Sequence, residues 1–371
     1  MQDLMSTQKN SIPGSIDQLF DIAVAKDASD IHLVVGKPPI LRLAGSLVSI
    51  DGVDVLTPET AQKLIFSLLT EDQKERFIKE KEIDIAHQVA SGQRFRINLH
   101  WEKTNVAMAA RLIPSRIPTM EELHLPEIVK DMVDYPHGLV LVTGPTGCGK
   151  STSLASMVER INESRPLNII TLEDPIEFLF SISKGLVQQR QYRQDFLSFG
   201  EGLKHMLRQD PDVVMVGEMR DMDTIATTLT IAETGNLVFA TLHTYSAAQT
   251  IDRIIDVFPP NQQNQIRTQL ALTLRGVISQ QLLPKIGGGL IAAREILVNN
   301  SAVANLIREN KIPQIKNVLQ TASEEGMTTL AQDLTRLIKE GLVEKEVAAQ
   351  YLVGREYLGD DGGHTKKKGW M

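Results

Sequence analysis

Gly144-Pro145-Thr146-Gly147-Cys148-Gly149-Lys150-Ser151 lies between a short apolar run, Leu139-Val-Leu-Val-Thr143, and a segment with apolar residues at helical spacing: Leu154, Ala155, Met157, Val158 and Ile161. Strand, glycine loop and helix in that order make a cradle for phosphate. Gly144, Gly147 and Gly149 leave backbone N–H groups free to wrap around phosphate oxygens, and the helix N-terminus adds its partial positive charge. Lys150 is placed to reach the β- and γ-phosphates, and the Ser151 hydroxyl to hold Mg²⁺. Pro145, Thr146, Cys148 and Thr152 complete the set of loop residues around the nucleotide. The bland alternative is a glycine-rich turn with an accidental Gly-Lys-Ser, and the flanking strand and helix argue against it. The stretch predicts binding of ATP with Mg²⁺.

Working outward, strand-like runs at 139–143, 168–172, 212–216 and 237–241 alternate with helical patterns, which predicts an α/β domain with a mainly parallel sheet. Runs at 278–284 and 290–297 flank Ile286-Gly-Gly-Gly289 and predict an antiparallel hairpin. The expected ATPase core is 138–300, followed by a helical region over 301–353, broken at Pro313 and Gly326. Residues 354–371 are expected to be a disordered tail. Upstream, 1–14 reads as a mobile leader. Residues 15–113 read as a small α+β domain, with a helix capped by Ser15, a second starting at Thr57-Pro58, and strands at 30–35, 40–43, 83–88, 93–99 and 106–113. Pro114, Pro118, Pro126 and Pro136 mark 114–137 as a linker with one short helix, about 119–134.

Composition narrows the classes. A single cysteine, Cys148, excludes an intramolecular disulfide and any zinc site built on several cysteines. A formal charge of −7 argues against a dedicated nucleic-acid binder. No run approaches the roughly 18 apolar residues of a membrane span, and the N-terminus lacks the order of a secretory signal.

Three further segments carry chemistry. Pro211-Asp-Val-Val-Met-Val-Gly-Glu218 is a buried strand with Glu218 just beyond its C-terminal end, where open α/β sheets bind ligands. A carboxylate there can deprotonate or orient the attacking water. Ile169-Ile-Thr-Leu-Glu-Asp-Pro-Ile-Glu177 ends a second strand in acids, and Glu173 and Glu177 are candidates for reaching the metal through water. Helix capping by Asp174 is the plain alternative. Thr241-Leu-His-Thr244 sets His243 at a third strand end, a position for sensing the γ-phosphate, although a lone histidine is more often structural.

Together these segments resemble the secretion ATPases: the loop at 144–152, the acidic box 170–178, the stretch 210–221, and Ala232-Glu-Thr-Gly through Phe258-Pro259. Within that superfamily the chain resembles the type IV pilus retraction ATPases, the PilT family of twitching-motility proteins, from about residue 15 to 353. The resemblance implies a PAS-like N-terminal domain, a RecA-like P-loop motor domain and a cytoplasmic homohexamer, peripheral at the inner membrane. It also implies docking on the inner-membrane pilus platform protein, and through it action on the pilus and its pilins, alone or with a paralogous retraction ATPase. By resemblance Glu218 is the general base, Glu173 and Glu177 the acidic box and His243 the histidine box. Arg96 and Arg111 match arginines that neutralise phosphate charge. Three positions depart from the family pattern: Asn105 stands where another arginine is usual, Asn236 where a second histidine is usual, and Ala304 where the C-terminal motif usually has arginine. The chain is thus read as a retraction motor. An accessory retraction ATPase and a pilus-extension or type II secretion ATPase stay open, as does, in another class, a RecA-like nucleic-acid translocase.

Overall fold

The computed structural model describes residues 14–43, 45–113 and 116–356, with side chains to residue 352. The expected leader, Gly14 apart, and the tail beyond 356 lie outside the described residues. The chain divides into two compact units, one running through Ile117 and including Asp174–Leu179, the other holding Pro118–Glu173 and the chain from Phe180 onward.

The first unit is built on six antiparallel strands: β1 Asp30–Leu33, β2 Ile40–Leu43, β3 Ser46–Ser49, β4 Glu82–Gln88, β5 Arg94–Glu102 and β6 Asn105–Ile113. Their order is β3-β2-β1-β6-β5-β4. Alternate residues (Ile83 and Ile85, Phe95, Ile97 and Leu99) point to a core shared with Leu19, Phe20, Ile65 and Phe77 from the helices. Phe20 and Phe95 stack there with centroids 4.3 Å apart. The Ser15 side chain caps its helix as expected, accepting from Gln18 N, and the second helix starts at Pro58 as expected, with Thr57 as its cap accepting from Thr60 N. Two elements escape the sequence reading. β3 is exposed throughout, so it has no alternation to detect. The helix Glu71–Glu80 buries Phe77 alone and is announced mainly by its Thr70–Gln73 capping box.

The second unit holds β7 Gly138–Thr143, β8 Asn168–Glu173, β9 Leu186–Gln191, β10 Val213–Val216, β11 Leu237–Leu242, β12 Leu274–Pro284 and β13 Leu290–Val298. Their order is β13-β12-β7-β11-β10-β8-β9, parallel except for the β12–β13 hairpin. β7, β10 and β11 are buried at every position because helices cover both faces. Leu154, Met157 and Ile161 pack on one face with Val140 and Phe239; Ile225, Leu229, Ile251 and Leu270 pack on the other with Leu139 and Val238. β9, Leu-Val-Gln-Gln-Arg-Gln, was absent from the expected strands; an edge position tolerates its polar residues.

The expected linker needs correction. From Pro118 the chain belongs to the second unit: Met120, Leu125, Val129, Met132 and Val133 are buried with Val140, Val142 and Leu154. Its helix is Glu127–Val133 rather than 119–134, because Pro126 stands at its N-cap after a turn closed by Leu125 N donating to Met120 O. At the C-terminal end the helices Ser301–Arg308 and Ile315–Thr321 join the main core. Leu330–Lys339 and Lys345–Glu356 follow, and their residues Leu330, Leu334, Leu337 and Ala348 pack on Leu283, Ile291 and Ala293 of the hairpin. No helix among the described residues is long and apolar enough to cross a membrane.

Candidate functional site

The glycine loop leaves β7 at Thr143 and enters the helix Lys150–Ser164. Gly144 has φ +142°, and a Cβ there would lie 2.2 Å from the Gln280 carbonyl oxygen on β12, so neither the conformation nor the space admits a side chain. Gly149, at φ +86°, is the N-cap, and no side chain caps the helix. The first helical amides therefore remain available to an anion. Lys150 is buried and folds back over the loop, its Nζ donating to the carbonyls of Gly144 (2.9 Å) and Pro145 (3.0 Å). Ser151 is exposed on the first turn, with Thr152 beside it half-buried. Burial pushes the Cys148 thiol up, outweighing the nearby Lys150 ammonium.

The neighbouring strand ends bring the acids to the same edge of the sheet. Two residues past β10, Glu218 is straddled by β11: Thr241 Oγ1 donates to Gly217 O at 2.5 Å, and Met219 N donates to Thr241 O at 3.1 Å. Those bonds set Glu218 beside His243, the first residue past β11, with Nε2 3.0 Å from Oε1. On its other side Arg220 Nη2 lies 2.7 Å from Oε2. Burial raises the Glu218 pKa, but Arg220 and then His243 outweigh it, so the carboxyl rests below the ordinary glutamate value. Arg220 was not singled out in the sequence, although its place two residues after the acid was a usable signal. Glu173 ends β8, buried, its Oε1 accepting from Thr171 Oγ1 (2.7 Å) and Gln189 Nε2 (3.0 Å).

A polar layer backs the loop. Thr143 and Ser279 are register partners on β7 and β12 and share a 2.8 Å hydroxyl bond. Thr250 lies 3.5 Å from Thr143 Oγ1 and 2.7 Å from Thr244 Oγ1, next to His243. Gln280, a neighbour missed in the sequence, hydrogen-bonds both Cys148 O and Ser153 Oγ.

The remaining candidates come together in the first unit. Arg96 and Arg111 are register partners on β5 and β6; Arg96 Nη1 pairs with Glu177 Oε1 at 3.0 Å, and Arg111 Nε donates to Asp30 Oδ1 at 2.9 Å. Thus the two acidic-box glutamates fall in different units. Asn105 lies at the far end of the β5–β6 hairpin, its Nδ2 on Lys103 O, six residues along β6 from Arg111. Asn236 precedes β11 and donates to Pro211 O, at the end of the strand opposite His243. Ala304 is half-buried against the main core. Among the described residues no group of three or more histidines, cysteines or acids could hold a metal ion unaided. Mg²⁺ carried on a nucleotide needs none, because it keeps waters and phosphate oxygens as ligands.

Comparison with known proteins places the chain in a family. The family described as type II/IV secretion system protein matches residues 119–350. The type IV pilus retraction ATPase PilT of Pseudomonas aeruginosa is 44% identical over 335 residues, covering 90% of this chain and 97% of that protein. The type IV pilus ATPase PilU of the same organism is 36% identical over 333 residues, 90% of this chain and 87% of PilU. A crystal structure of the pilus retraction motor PilT with bound ADP matches with a TM-score of 0.84 and 45% identity, covering 91% of this chain and 96% of that one.

Proposed function

The chain belongs to the type II/IV secretion system protein family, in its branch of pilus retraction ATPases, and from that premise we propose that it hydrolyses ATP to power retraction of a type IV pilus. The observation that carries the reading is the convergence of an uncapped helix start behind three left-handed glycines with a clamped Glu218 on the same sheet edge. The same uncapped amides and glycine cradle fit a magnesium nucleotide. Mg²⁺ would neutralise charge across the β- and γ-phosphates, with the Ser151 hydroxyl as its protein ligand and Glu173 acting on its water shell. Lys150 exchanges its two carbonyl partners for phosphate oxygens. Glu218 takes the proton of the attacking water, and His243 holds the carboxylate in place. In this reading Arg96 and Arg111 supply the guanidinium groups that offset charge on the transferred phosphoryl group.

The reading extends to a PAS-like first unit, a RecA-like second unit and a homohexamer at the cytoplasmic face of the inner membrane, acting on the pilus platform protein. Identity to PilT exceeds identity to PilU, 44% against 36%, which supports the principal rather than the accessory retraction role. The experiment is deletion of the gene followed by counting of surface pili. Hyperpiliated cells that do not twitch would support retraction, and bald cells would point to assembly instead.

A further inference from the structure

We propose that Gln280 is a positioning residue for ATP binding, fixing the phosphate loop from behind without touching the nucleotide. The proposal rests on the reading that this loop binds nucleotide. Gln280 sits on β12 with 1% of its surface exposed, between Ser279 and Gln281 and among buried Val277, Ile278 and Leu283. A buried amide is unfavourable unless its polar atoms are paired, and here both ends are paired to the loop or its helix. Nε2 donates to the carbonyl of Cys148 at 2.8 Å, and Oε1 accepts from Ser153 Oγ at 3.0 Å. Its own carbonyl presses on Gly144, where a Cβ would stand 2.2 Å away. One residue therefore braces the loop at its start, at its end and on the first turn of the helix.

The bond to Cys148 has a directional effect. The Cys148–Gly149 peptide is trans; among the described residues the cis bond is Asp174–Pro175. In a planar trans peptide the C=O and N–H point in opposite directions. Turning the Cys148 carbonyl toward β12 thus turns the Gly149 N–H away from β12, which leaves that amide for a phosphate. Gly149, at φ +86°, tolerates that orientation. Without the side-chain donor, the peptide is free to rotate and its amide has to be reoriented each time nucleotide binds.

The test uses the full chain, with fluorescent mant-ADP and Mg²⁺ for binding and ATP turnover for KM and kcat. Gln280→Met keeps the volume and removes both bonds. It is expected to weaken mant-ADP binding and raise KM for ATP about tenfold, the scale of one lost hydrogen bond, with kcat changed less than about threefold. Ser153→Ala leaves the Cys148 bond in place and is expected to change binding by less than about threefold. Should Gln280→Met not yield folded protein, Gln280→Leu decides the question, since it is of similar volume, removes the same two bonds and adds no charge beside the loop. Wild-type affinity in either folded Gln280 variant would overturn the positioning role alone. Wild-type chain that binds no mant-ADP would overturn the nucleotide reading, and this proposal with it.

Discussion

Replacing Glu218 by Gln separates chemistry from folding at one atom. The amide has the same shape: its oxygen can still accept from Arg220 Nη2, now at 2.7 Å, and its NH2 can face His243 Nε2, now at 3.0 Å. Only charge and basicity disappear. Arg220 is 72% exposed and His243 43%, against 22% for Glu218, so these ion pairs belong to the exposed class. Such pairs contribute about 0–1 kcal/mol each, and the melting temperature is expected to move by no more than about 2–4 °C. Loss of the water-activating carboxylate is a far larger effect, about 10²–10⁴-fold in turnover, or about 3–5 kcal/mol on the barrier. The assay is phosphate release at saturating magnesium ATP, with mant-ADP binding and thermal unfolding beside it. Binding within about threefold of wild type and turnover down at least about a hundredfold are expected. A variant retaining more than about a tenth of wild-type turnover would remove Glu218 from the reaction. The pH profile supplies a second check. Because the folded carboxyl lies below the ordinary glutamate value, its ionised form persists as pH falls past that value, and its contribution to stability is lost only through the lower, folded pKa. The acid limb of activity should therefore lie below the usual glutamate range, and Arg220→Ala should move it upward.

Further outcomes follow from the same geometry. Lys150→Ala removes the ammonium now bound to Gly144 and Pro145 and should weaken nucleotide retention at least about tenfold in equilibrium dialysis. Gly144→Ala would drive a methyl to 2.2 Å from Gln280 O and should abolish binding. Gly147→Ala meets nothing within 4 Å and should lose only about 1 kcal/mol to its left-handed backbone, read by urea unfolding. Asp333→Ala removes the buried acceptor of the Arg294 backbone N–H, now at 2.7 Å, and the negative charge nearest a guanidinium whose pKa burial has lowered to about 10; it should cost about 1–3 kcal/mol in the same experiment. Cys148 should react slowly with a thiol reagent in native protein at neutral pH and fast once the chain is unfolded, because burial raises its pKa.

The parallel strands were legible because burial on both faces leaves continuous apolar runs, as in β7 and β10. β3 and β9 lacked that signal because sheet edges accept exposed or polar residues. The region 118–137 misled for a physical reason: prolines suggest a spacer, while Val129, Met132 and Val133 between them anchor the stretch in the core. Within the site, Gly144 to Ser151 was readable because one local segment supplies amides, ammonium and hydroxyl together. Gln280 was not, since its partner Cys148 is 132 residues distant and a lone amide in a strand matches no motif. Asn236 was tied to the histidine box, yet it sits at the wrong end of β11. Seven residue steps at about 3.3 Å each put it roughly 23 Å from His243.

The two halves of the site differ in how firmly they are held, and the difference suits a motor that must turn over. Behind the loop, Gln280, Ser279, Thr143 and Thr250 are all buried, each with a hydrogen-bonded partner. Leaving one such partner unpaired costs about 1–3 kcal/mol, so this layer resists rearrangement and keeps the loop amides oriented in advance of ligand. In front, Glu218 is held by two side chains that reach into solvent, through pairs that contribute about 1 kcal/mol or less each. On the proposed role of Glu218, small adjustments of those partners as a water approaches the carboxylate are therefore inexpensive, and so is restoring them once product leaves. Were the arrangement reversed, with a buried clamp on the base and a loosely braced loop, each cycle would spend binding energy ordering the loop and still have to break a strong pair before hydrolysis.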